Sequence, residues 1–496
     1  MNNAGHSPPA APATQSTPLP AWLVHFCQRL GDDAGEPVEL IETHISWILL
    51  VDGFAYKLKK PIRLPFLDYG SPATRHFFCA EELRLNRRFA PDLYLDVVPV
   101  DAESNEFAVR MRRFAEAGRL DHVCERGELT TAQLSELARV IVAFHQNAAV
   151  AAADSRFGTP EQVLAPALEN FDELHRLLPE EPRRLDKLRA WTSDEFARRR
   201  ERMIARKLAW RVRECHGDLH LGNLVLIDDR VTPFDCIEFN EDLRWIDVIS
   251  EVSFPYVDLL DHQRPDLAGW LLNEWLAISG DFDAVPLLRF YAVYRALVRA
   301  KVTGIRGEVI EAGKYLTMAE RLMTPPSPTL TITFGLSGSG KTWASTAILL
   351  ADKTATTLRL RSDIERKRLF GLRADAASQS GVNSGIYDDE ANSRTYEHLA
   401  KIAAELLENG WSVIIDATFL ERKQRDLFHA LADRYQVPFK IRACSASTAA
   451  MKQRIAQRHD DASEARLDVL VQQLSHVEPL GRDELPFVLA GNRDRV

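Results

Sequence analysis

The chain has 496 residues, of which 46% are hydrophobic and 27% are charged, and its formal net charge is −9. This length allows roughly two to four ordinary domains, and these proportions are those of a globular protein, which excludes a wholly disordered or fibrous chain. The acidic balance gives no overall attraction for nucleic acid or for an anionic membrane surface. Apolar runs reach nowhere near the roughly 18 residues of a membrane span, so no membrane partner is predicted.

The first 20 residues are rich in Pro, Ala, Ser and Thr. They lack the basic start and the apolar run of a secretory signal. The sequence therefore predicts a disordered tail over residues 1–20 and a cytoplasmic location. A short amphipathic helix is expected from Trp22 to Leu30.

The segment 45–61, ISWILLVDGFAYKLKKP, predicts a β-hairpin with its turn at Asp52-Gly53. Lys57 falls on the second strand, the setting in which a protein kinase keeps the lysine that holds the nucleotide phosphates. The neighbouring Lys59 and Lys60 leave open the alternative that Lys57 is an ordinary exposed strand lysine.

A helix is predicted to begin at Ser71-Pro72, with serine as the N-cap and proline in the first turn. Its apolar face carries Glu81 and Glu82, and a buried carboxylate needs a partner. Lys57 is the expected partner, as in the lysine–glutamate pair of kinases. Either glutamate fits this spacing.

The stretch HGDLHLGN, residues 216–223, precedes two short apolar runs at 224–227 and 231–234 around a polar turn. This pattern predicts a hairpin, and counting outward from Asp229 places Asn223 opposite Asp235. The amide and carboxylate oxygens of these two residues suit Mg²⁺. Asp218 can then accept the proton of an acceptor hydroxyl.

The HGDxHxxN loop and the aspartate after it resemble those of the aminoglycoside phosphotransferase-like kinases, whose fold is two-lobed and protein-kinase-like. The resemblance implies that Asp218 is the catalytic base and that Asn223 and Asp235 bind Mg²⁺. It also favours Glu81 over Glu82 as the nucleotide-site partner of Lys57. A hydroxyl-bearing small molecule of unidentified structure is the implied acceptor.

Two further expectations concern the surroundings of this loop. Asp247 is expected to stabilise it. The region from about 130 to 210 is predicted to be helical, and its basic run at 198–211 is interpreted as a solvated helix face.

The Pro-rich segment 324–329, TPPSPT, predicts a linker between a domain at 21–323 and a second domain at 330–496. An apolar strand follows, and then GLSGSGKT fits GxxxxGK[ST]. In this P-loop the backbone around Gly335, Gly338 and Gly340 cradles phosphates, Lys341 reaches their oxygens, and the Thr342 hydroxyl can ligate Mg²⁺.

Strands and helices alternate after the P-loop, which predicts a parallel sheet covered by helices. One strand, 356–361, delivers Asp363 at its C-terminal end, and another ends at Asp416. Asp416 suits a Walker B-type acid near the metal, with a helix cap as the alternative.

This second half resembles small P-loop kinases, a group that includes polynucleotide kinases, gluconate-type kinases and the zeta toxins. The resemblance implies that Asp363 engages an acceptor hydroxyl. It also implies an arginine-bearing lid over residues 451–466, in which Arg454 and Arg458 stabilise the transferring phosphate. A solvated helix with spaced arginines is the alternative for the lid.

The tandem order resembles a family of bacterial fusion proteins, aminoglycoside phosphotransferase-like proteins with an ATP-binding domain. The expected function is a bifunctional kinase that uses ATP or GTP and Mg²⁺ at two sites. One alternative makes one half a nucleotide-sensing regulator. Another makes the P-loop half a nucleic-acid end kinase, although a nucleic-acid partner is not favoured.

Overall fold

The computed structural model describes residues 18–64, 67–101, 103–374, 376, 386, 388–457 and 467–489. The predicted tail falls mostly, and Arg458 falls wholly, outside these residues. The chain divides into two compact units, Met1–Phe114 and Ala115–Val496. This division differs from the predicted linker at 324–329, because the P-loop half packs with the helical region before it.

The first unit contains α1 (Ala21–Ala34), β1 (Glu39–Glu42), β2 (Ser46–Val51), β3 (Phe54–Lys59), β4 (Arg63–Leu64), β5 (Leu67–Asp68), α2 (Pro72–Asn86), β6 (Tyr94–Pro99) and β7 (Phe107–Arg112). Its antiparallel sheet has the order β1-β2-β3-β7-β6. The predicted hairpin turn is confirmed, since Asp52 and Gly53 have φ values of 44° and 72°. The predicted start of α2 is also confirmed, because the Ser71 side chain accepts the Thr74 N–H.

The second unit begins with a helical region. Its helices and short strands are α3 (Leu120–Glu125), α4 (Thr131–Asn147), α5 (Pro160–Leu177), α6 (Pro182–Leu208), β8 (Val212–Glu214), β9 (Leu224–Ile227), β10 (Arg230–Pro233), α7 (Glu241–Arg244), β11 (Trp245–Asp247), α8 (Val248–Asp261), α9 (Pro265–Ser279), α10 (Val285–Ile305) and α11 (Val309–Met323). Helices α8 and α10 are largely buried and form the centre of this region.

The P-loop half follows as β12 (Leu330–Phe334), α12 (Lys341–Ala351), β13 (Thr357–Arg361), α13 (Ser362–Leu369), α14 (Asp389–Glu408), β14 (Ser412–Asp416), α15 (Arg422–Arg434), β15 (Phe439–Ala443), α16 (Thr448–Ala456) and α17 (Leu467–His476). The strands pair in parallel in the order β13-β14-β12-β15. The predicted fold class is confirmed: antiparallel sheet and helices come first, and a helix-covered parallel sheet follows.

The interpretation of the basic run as a solvated helix face is wrong for Arg206. Its guanidinium is buried, with Nε 2.7 Å from an oxygen of Asp247 and Nη1 2.8 Å from an oxygen of Asp281. Another arginine of α6, Arg199, donates to Asn409 beyond the end of α14 at 2.6 Å. Helical spacing alone could not show that α6 is covered by neighbours that carry carboxylates.

Helix α9 and the edge strand β13 are joined by the buried side chain of Asn273. Its Oδ1 accepts the Arg359 N–H at 2.6 Å, and its Nδ2 donates to the Thr357 carbonyl at 3.0 Å. The amide therefore occupies the hydrogen-bonding edge of β13 in place of another strand. The apolar core is continuous across this boundary.

We expect Asn273→Ala to lower the free energy of unfolding by about 2–3 kcal/mol, because it leaves the buried Arg359 N–H and the partly buried Thr357 carbonyl unpaired. Asn147→Ala is the matched control. Asn273 Nδ2 also donates to the carbonyl of Gly269, four residues earlier, at 2.8 Å, and Asn147 Nδ2 makes the equivalent bond at 2.7 Å on an exposed helix end. Denaturant unfolding should show a change within about 0.5 kcal/mol for the control. Equal changes in the two variants would contradict the role given to Asn273.

Candidate functional sites

The loop 216–223 leads from β8 into the hairpin of β9 and β10, which confirms the predicted hairpin. Its predicted register is wrong by one residue. Leu224 pairs with Pro233, and the Phe234 N–H donates to the Asn223 carbonyl at 3.0 Å, so Asn223 lies opposite Phe234 instead of Asp235. The reason is a two-residue turn in which Asp228 and Asp229 both have positive φ, 50° and 61°.

Asp218 and Asn223 are in direct contact. The Asn223 Nδ2 donates to the Asp218 backbone carbonyl at 2.9 Å and to its Oδ2 at 3.2 Å. Both bonds that Nδ2 donates go to Asp218. The amide oxygen of Asn223, Oδ1, accepts no hydrogen bond in the described part of the chain. An unengaged amide oxygen next to a carboxylate is a donor set that fits Mg²⁺.

Asp235 follows the residue that pairs with Asn223, so it lies close to that amide despite the shifted register. Its φ is +63°, in the left-handed region that a non-glycine residue seldom adopts. Such a conformation persists where its surroundings enforce it, and it is frequent at functional sites. The hard oxygens of Asn223 and Asp235 are therefore suited to hold one cation.

His216 connects the loop to the segment that carries Asp235. Its Nε2 lies 2.8 Å from the Phe234 carbonyl, and its Nδ1 lies 3.3 Å from the Asp218 backbone nitrogen. Burial lowers the pKa of His216, which favours the neutral ring. The neutral tautomer with hydrogen on Nε2 donates to the carbonyl and accepts the Asp218 N–H, and so it fixes the backbone at Asp218.

Glu251 on α8 anchors this loop, a role that was predicted for Asp247. The Glu251 carboxylate accepts the N–H groups of His216 and Gly217, the second at 3.2 Å, and lies 2.6 Å from Nε2 of His145. The Asp247 carboxylate instead binds Arg206 and caps α8. The signal that was missed is a glutamate within the buried, apolar segment of α8.

The nucleotide-site prediction in the first unit needs one correction. Lys57 lies 2.9 Å from Glu82 Oε1, and Lys59 lies 2.7 Å from Oε2 of the same carboxylate. Glu81, the predicted partner, binds Arg84 near the surface. The reading of Lys57 as an exposed strand lysine is also wrong, because the residue is buried. Lys59, the second partner, was not anticipated.

The P-loop lies between β12 and α12. Gly335, Gly338 and Gly340 have φ values of 150°, 79° and 97°, which are strained for other residues. In the described structure the N–H groups of Gly338 and Gly340 have no acceptor, and the buried Ser339 hydroxyl has no partner. These unsatisfied donors belong to consecutive residues of one loop and fit phosphate oxygens. Lys341 Nζ lies 2.9 Å from the Leu336 carbonyl of the same loop.

Two predicted acids lie at the C-terminal ends of neighbouring strands of the parallel sheet. Asp416 is buried at the end of β14, and its Oδ2 lies 2.9 Å from the hydroxyl of Ser345, one turn after the exposed Thr342. A helix-cap role for Asp416 is wrong, because Glu421 is the N-cap of the next helix. Asp363 lies in the first turn of α13, and its carboxylate has no hydrogen bond or ion pair within the described residues.

Helices α16 and α17 contact the P-loop. Arg454 Nη1 donates to the Gly338 carbonyl at 3.2 Å, and Gln473 Oε1 accepts the Ser337 N–H at 2.8 Å. Met451, Ile455 and Leu470 pack behind these contacts. Arg454 is therefore next to the P-loop, and its role in a lid stays a prediction. Gln473 was not predicted and carries no recognisable sequence signal.

Residues 330–480 match the family model of an AAA domain. The C-terminal part of the chain is a P-loop domain. Uncharacterised proteins of Mycobacterium bovis and Mycobacterium tuberculosis are 28% identical to the chain over 448 residues, which cover 87% of this chain and 88% of each relative. Both predicted halves of the chain lie largely within that shared length.

Solved structures similar to this chain include kinases. A choline/ethanolamine kinase family protein from Mesorhizobium loti is 14% identical, with a TM-score of 0.39, covering 62% of this chain and 96% of that protein. An aminoglycoside phosphotransferase from Streptomyces rimosus, solved with ADP and streptomycin, is 18% identical, with a TM-score of 0.35, covering 55% of this chain and 98% of that protein. Among the described residues, no helix is both long and apolar enough to cross a membrane.

Proposed function

We propose that the chain is a bifunctional phosphotransferase that moves the γ-phosphoryl group of ATP or GTP to hydroxyl acceptors at two centres. The observation that carries this proposal is the loop around Asp218. A carboxylate, a neighbouring amide and a strained aspartate are held there by buried Glu251 and His216. This combination supports a proton acceptor at Asp218 beside a proposed donor set for Mg²⁺.

At the first centre, the acceptor oxygen attacks the γ-phosphorus, the bond to the β–γ bridging oxygen breaks, and the nucleoside diphosphate leaves. The acceptor proton goes to the Asp218 carboxylate. Asn223 and Asp235 would hold Mg²⁺, which neutralises charge on the phosphates when it is bound. Within the first unit, Lys57 is proposed to bind nucleotide phosphates, and Glu82 fixes its position.

At the second centre, the P-loop N–H groups and Lys341 are proposed to bind the nucleotide phosphates, and Thr342 with Asp416 would hold Mg²⁺. The Asp363 carboxylate, which has no partner among the described residues, then orients the second acceptor hydroxyl. Arg454, already beside Gly338, stabilises charge as the phosphoryl group transfers.

We expect Lys341→Ala to weaken nucleotide binding at the P-loop centre by about 10- to 100-fold, because it removes a charged hydrogen bond to phosphate. Lys353→Ala, an exposed lysine of the same half, is the control. Calorimetric titration of nucleotide and acceptor-dependent ADP release should separate the two centres: Lys341→Ala should spare the activity that depends on Asp218. Equal loss of both activities would contradict the two-centre proposal.

A further inference from the structure

A pocket opens in the helical region of the second unit, lined by the start of α5, by α7 and β11, and by α8 and α10. Its volume is about 500 Å³, including the part open to solvent. The proposed function leaves the acceptor of the Asp218 centre unidentified, and the lining of this pocket is informative about it.

One wall of the pocket is aromatic. The rings of Phe157 and Trp245 are stacked, with centroids 5.3 Å apart and planes inclined by 11°. Tyr291 and Tyr294 of α10 also line the pocket. Stacked rings present a flat apolar surface that suits a small ring, while the tyrosine hydroxyls can exchange hydrogen bonds with a polar ligand.

Arg295 is the charged group that distinguishes the pocket. It is 5% exposed, and its Nε and Nη2 make long bonds to Ser250, at 3.4 and 3.3 Å. Within the described residues, Nη1 has no acceptor, and no carboxylate lies within ion-pair distance of the guanidinium. Phe254 and Tyr294 stack against it at 4.7 and 5.3 Å from their ring centroids. A buried cation normally has an anionic partner, so its absence here indicates a ligand.

Each of the two carboxylates of the lining lies within ion-pair distance of an arginine. Asp242 lies 3.0 Å from Arg156, and Asp247 lies 2.7 Å from buried Arg206. In the part of the lining that the structure describes, the uncompensated charge is therefore the positive charge of Arg295. An anionic group entering the pocket would complete its guanidinium, whereas a cationic group would meet repulsion.

The pocket adjoins the loop that carries Asp218. A Cβ atom on Gly217 would lie 2.9 Å from the carbonyl oxygen of Leu243, a lining residue, so the loop packs directly on the wall. Burial is the main cause of the raised pKa of the Tyr294 hydroxyl, and the negative charge of Asp218 contributes to it. That carboxylate is thus within electrostatic reach of the pocket.

We propose that this pocket binds the acceptor of the Asp218 centre and selects a hydroxyl-bearing molecule that also carries a carboxylate or phosphate group, which Arg295 binds. The proposal rests on the function proposed above. The aromatic wall holds the body of the acceptor, and the anion fixes its orientation. Arg295 is a specificity residue, since the reacting hydroxyl is placed at Asp218.

The test uses the full-length chain and four sugars that differ in charge: glucose, glucosamine, glucuronate and glucose 6-phosphate. Binding is measured by calorimetry, and turnover by ADP release. We expect an acidic sugar to bind about 10- to 100-fold more tightly than glucose, the range of one charged hydrogen bond, and glucosamine to bind more weakly than glucose. Glucuronate against glucose 6-phosphate distinguishes a carboxylate from a phosphate as the recognised group.

Arg295→Met keeps the apolar stem and removes the charge, so it should abolish the preference for acidic sugars. Arg295→Lys should keep part of it. A purely structural arginine would give a lower melting temperature in the methionine variant with unchanged sugar preference. We expect instead a higher melting temperature together with loss of the preference for acidic sugars, because methionine removes a buried uncompensated charge from the ligand-free chain.

The proposal is overturned if no acidic sugar binds in an Arg295-dependent way, or if glucosamine binds as well as the acids. Asp218→Asn should retain Arg295-dependent binding and lose ADP release. Binding without ADP release in the wild type would leave the pocket intact and refute phosphoryl transfer there. Asp218-dependent release driven by glucosamine would leave the function intact and refute the anionic acceptor.

Discussion

Asp218→Asn is expected to lower acceptor-dependent ADP release at the first centre by about 10²- to 10⁴-fold, the usual contribution of a positioned general base. The substituted amide has nearly the same shape and can still accept the bond from Asn223, which lies 3.2 Å from the carboxylate. It cannot take up the acceptor proton. Steady-state rates at saturating nucleotide measure the effect, and nucleotide affinity should stay within about twofold of the wild type.

Asp229→Asn is the matched control for this variant. Asp229 is exposed at the tip of the following hairpin with a φ of 61°, a conformation that asparagine also tolerates. Asp229→Asn changes the net charge by the same amount as Asp218→Asn, and it does so close to the same loop. A similar rate loss in the control would mean that the effect comes from charge or local folding, and full activity of Asp218→Asn would refute its role as the base.

The local motifs were predictable from the sequence because a few adjacent residues determine them. The turn at Asp52-Gly53, the Ser71 cap of α2 and the P-loop glycines each depend on φ preferences or hydrogen bonds within a few residues. The P-loop strand, helix and domain class followed from the same local pattern. The roles proposed for the site residues remain predictions.

What the sequence did not reveal depends on contacts between distant segments. The Glu251 carboxylate accepts the N–H of Gly217, 34 residues earlier in the chain. The position of Glu251 within α8 gives no sequence signal of that contact. The hairpin register depended on whether the turn has two residues or three, and this one-residue difference moves the partner of Asn223. Arg206 was assigned to a solvated face because its partner Asp281 lies 75 residues away.

The packing of the two predicted halves also follows from long-range contacts. Arg289 of α10 donates to the carbonyls of Asn409 and Gly410, at 2.5 and 2.7 Å, and its guanidinium lies over the ring of Trp411. The Pro-rich segment 324–329 lies between α11 and β12, and the apolar core continues past it. A composition break therefore did not mark a boundary between separate cores.

The Lys57–Glu82 pair carries the second large prediction. Glu82→Gln should lower the stability of the first unit by about 3–5 kcal/mol, because it leaves the buried ammonium groups of Lys57 and Lys59 without their counter-charge. The Glu82 side chain is 0% exposed and lies between the two lysines, at 2.9 and 2.7 Å. Hydrogen exchange of peptides from β3 and α2 measures the loss within this unit.

Glu81→Gln is the matched control, one residue away on the same helix and paired near the surface with Arg84. Its cost should be within about 0.5 kcal/mol, as for other exposed pairs. Comparable losses in both variants, or a larger loss for Glu81→Gln, would refute Glu82 as the lysine partner. A loss of stability well below about 3 kcal/mol for Glu82→Gln would refute the argument that Glu82 compensates two buried charges.

The pH dependence gives an independent check on Glu82. Burial alone would raise the pKa of its carboxyl, but the charges of Lys57 and Lys59 outweigh burial and hold that pKa well below its usual value of 4.5. A carboxylate with a lowered pKa stabilises the folded state fully above the unfolded pKa, and this stabilisation is lost as the pH falls through the folded pKa. The stability difference between the wild type and Glu82→Gln should therefore be full at neutral pH and shrink below about pH 4.5. A difference that grows in acid would mean that Glu82 is protonated in the folded chain, and Lys57 would then need another anion to hold it in place.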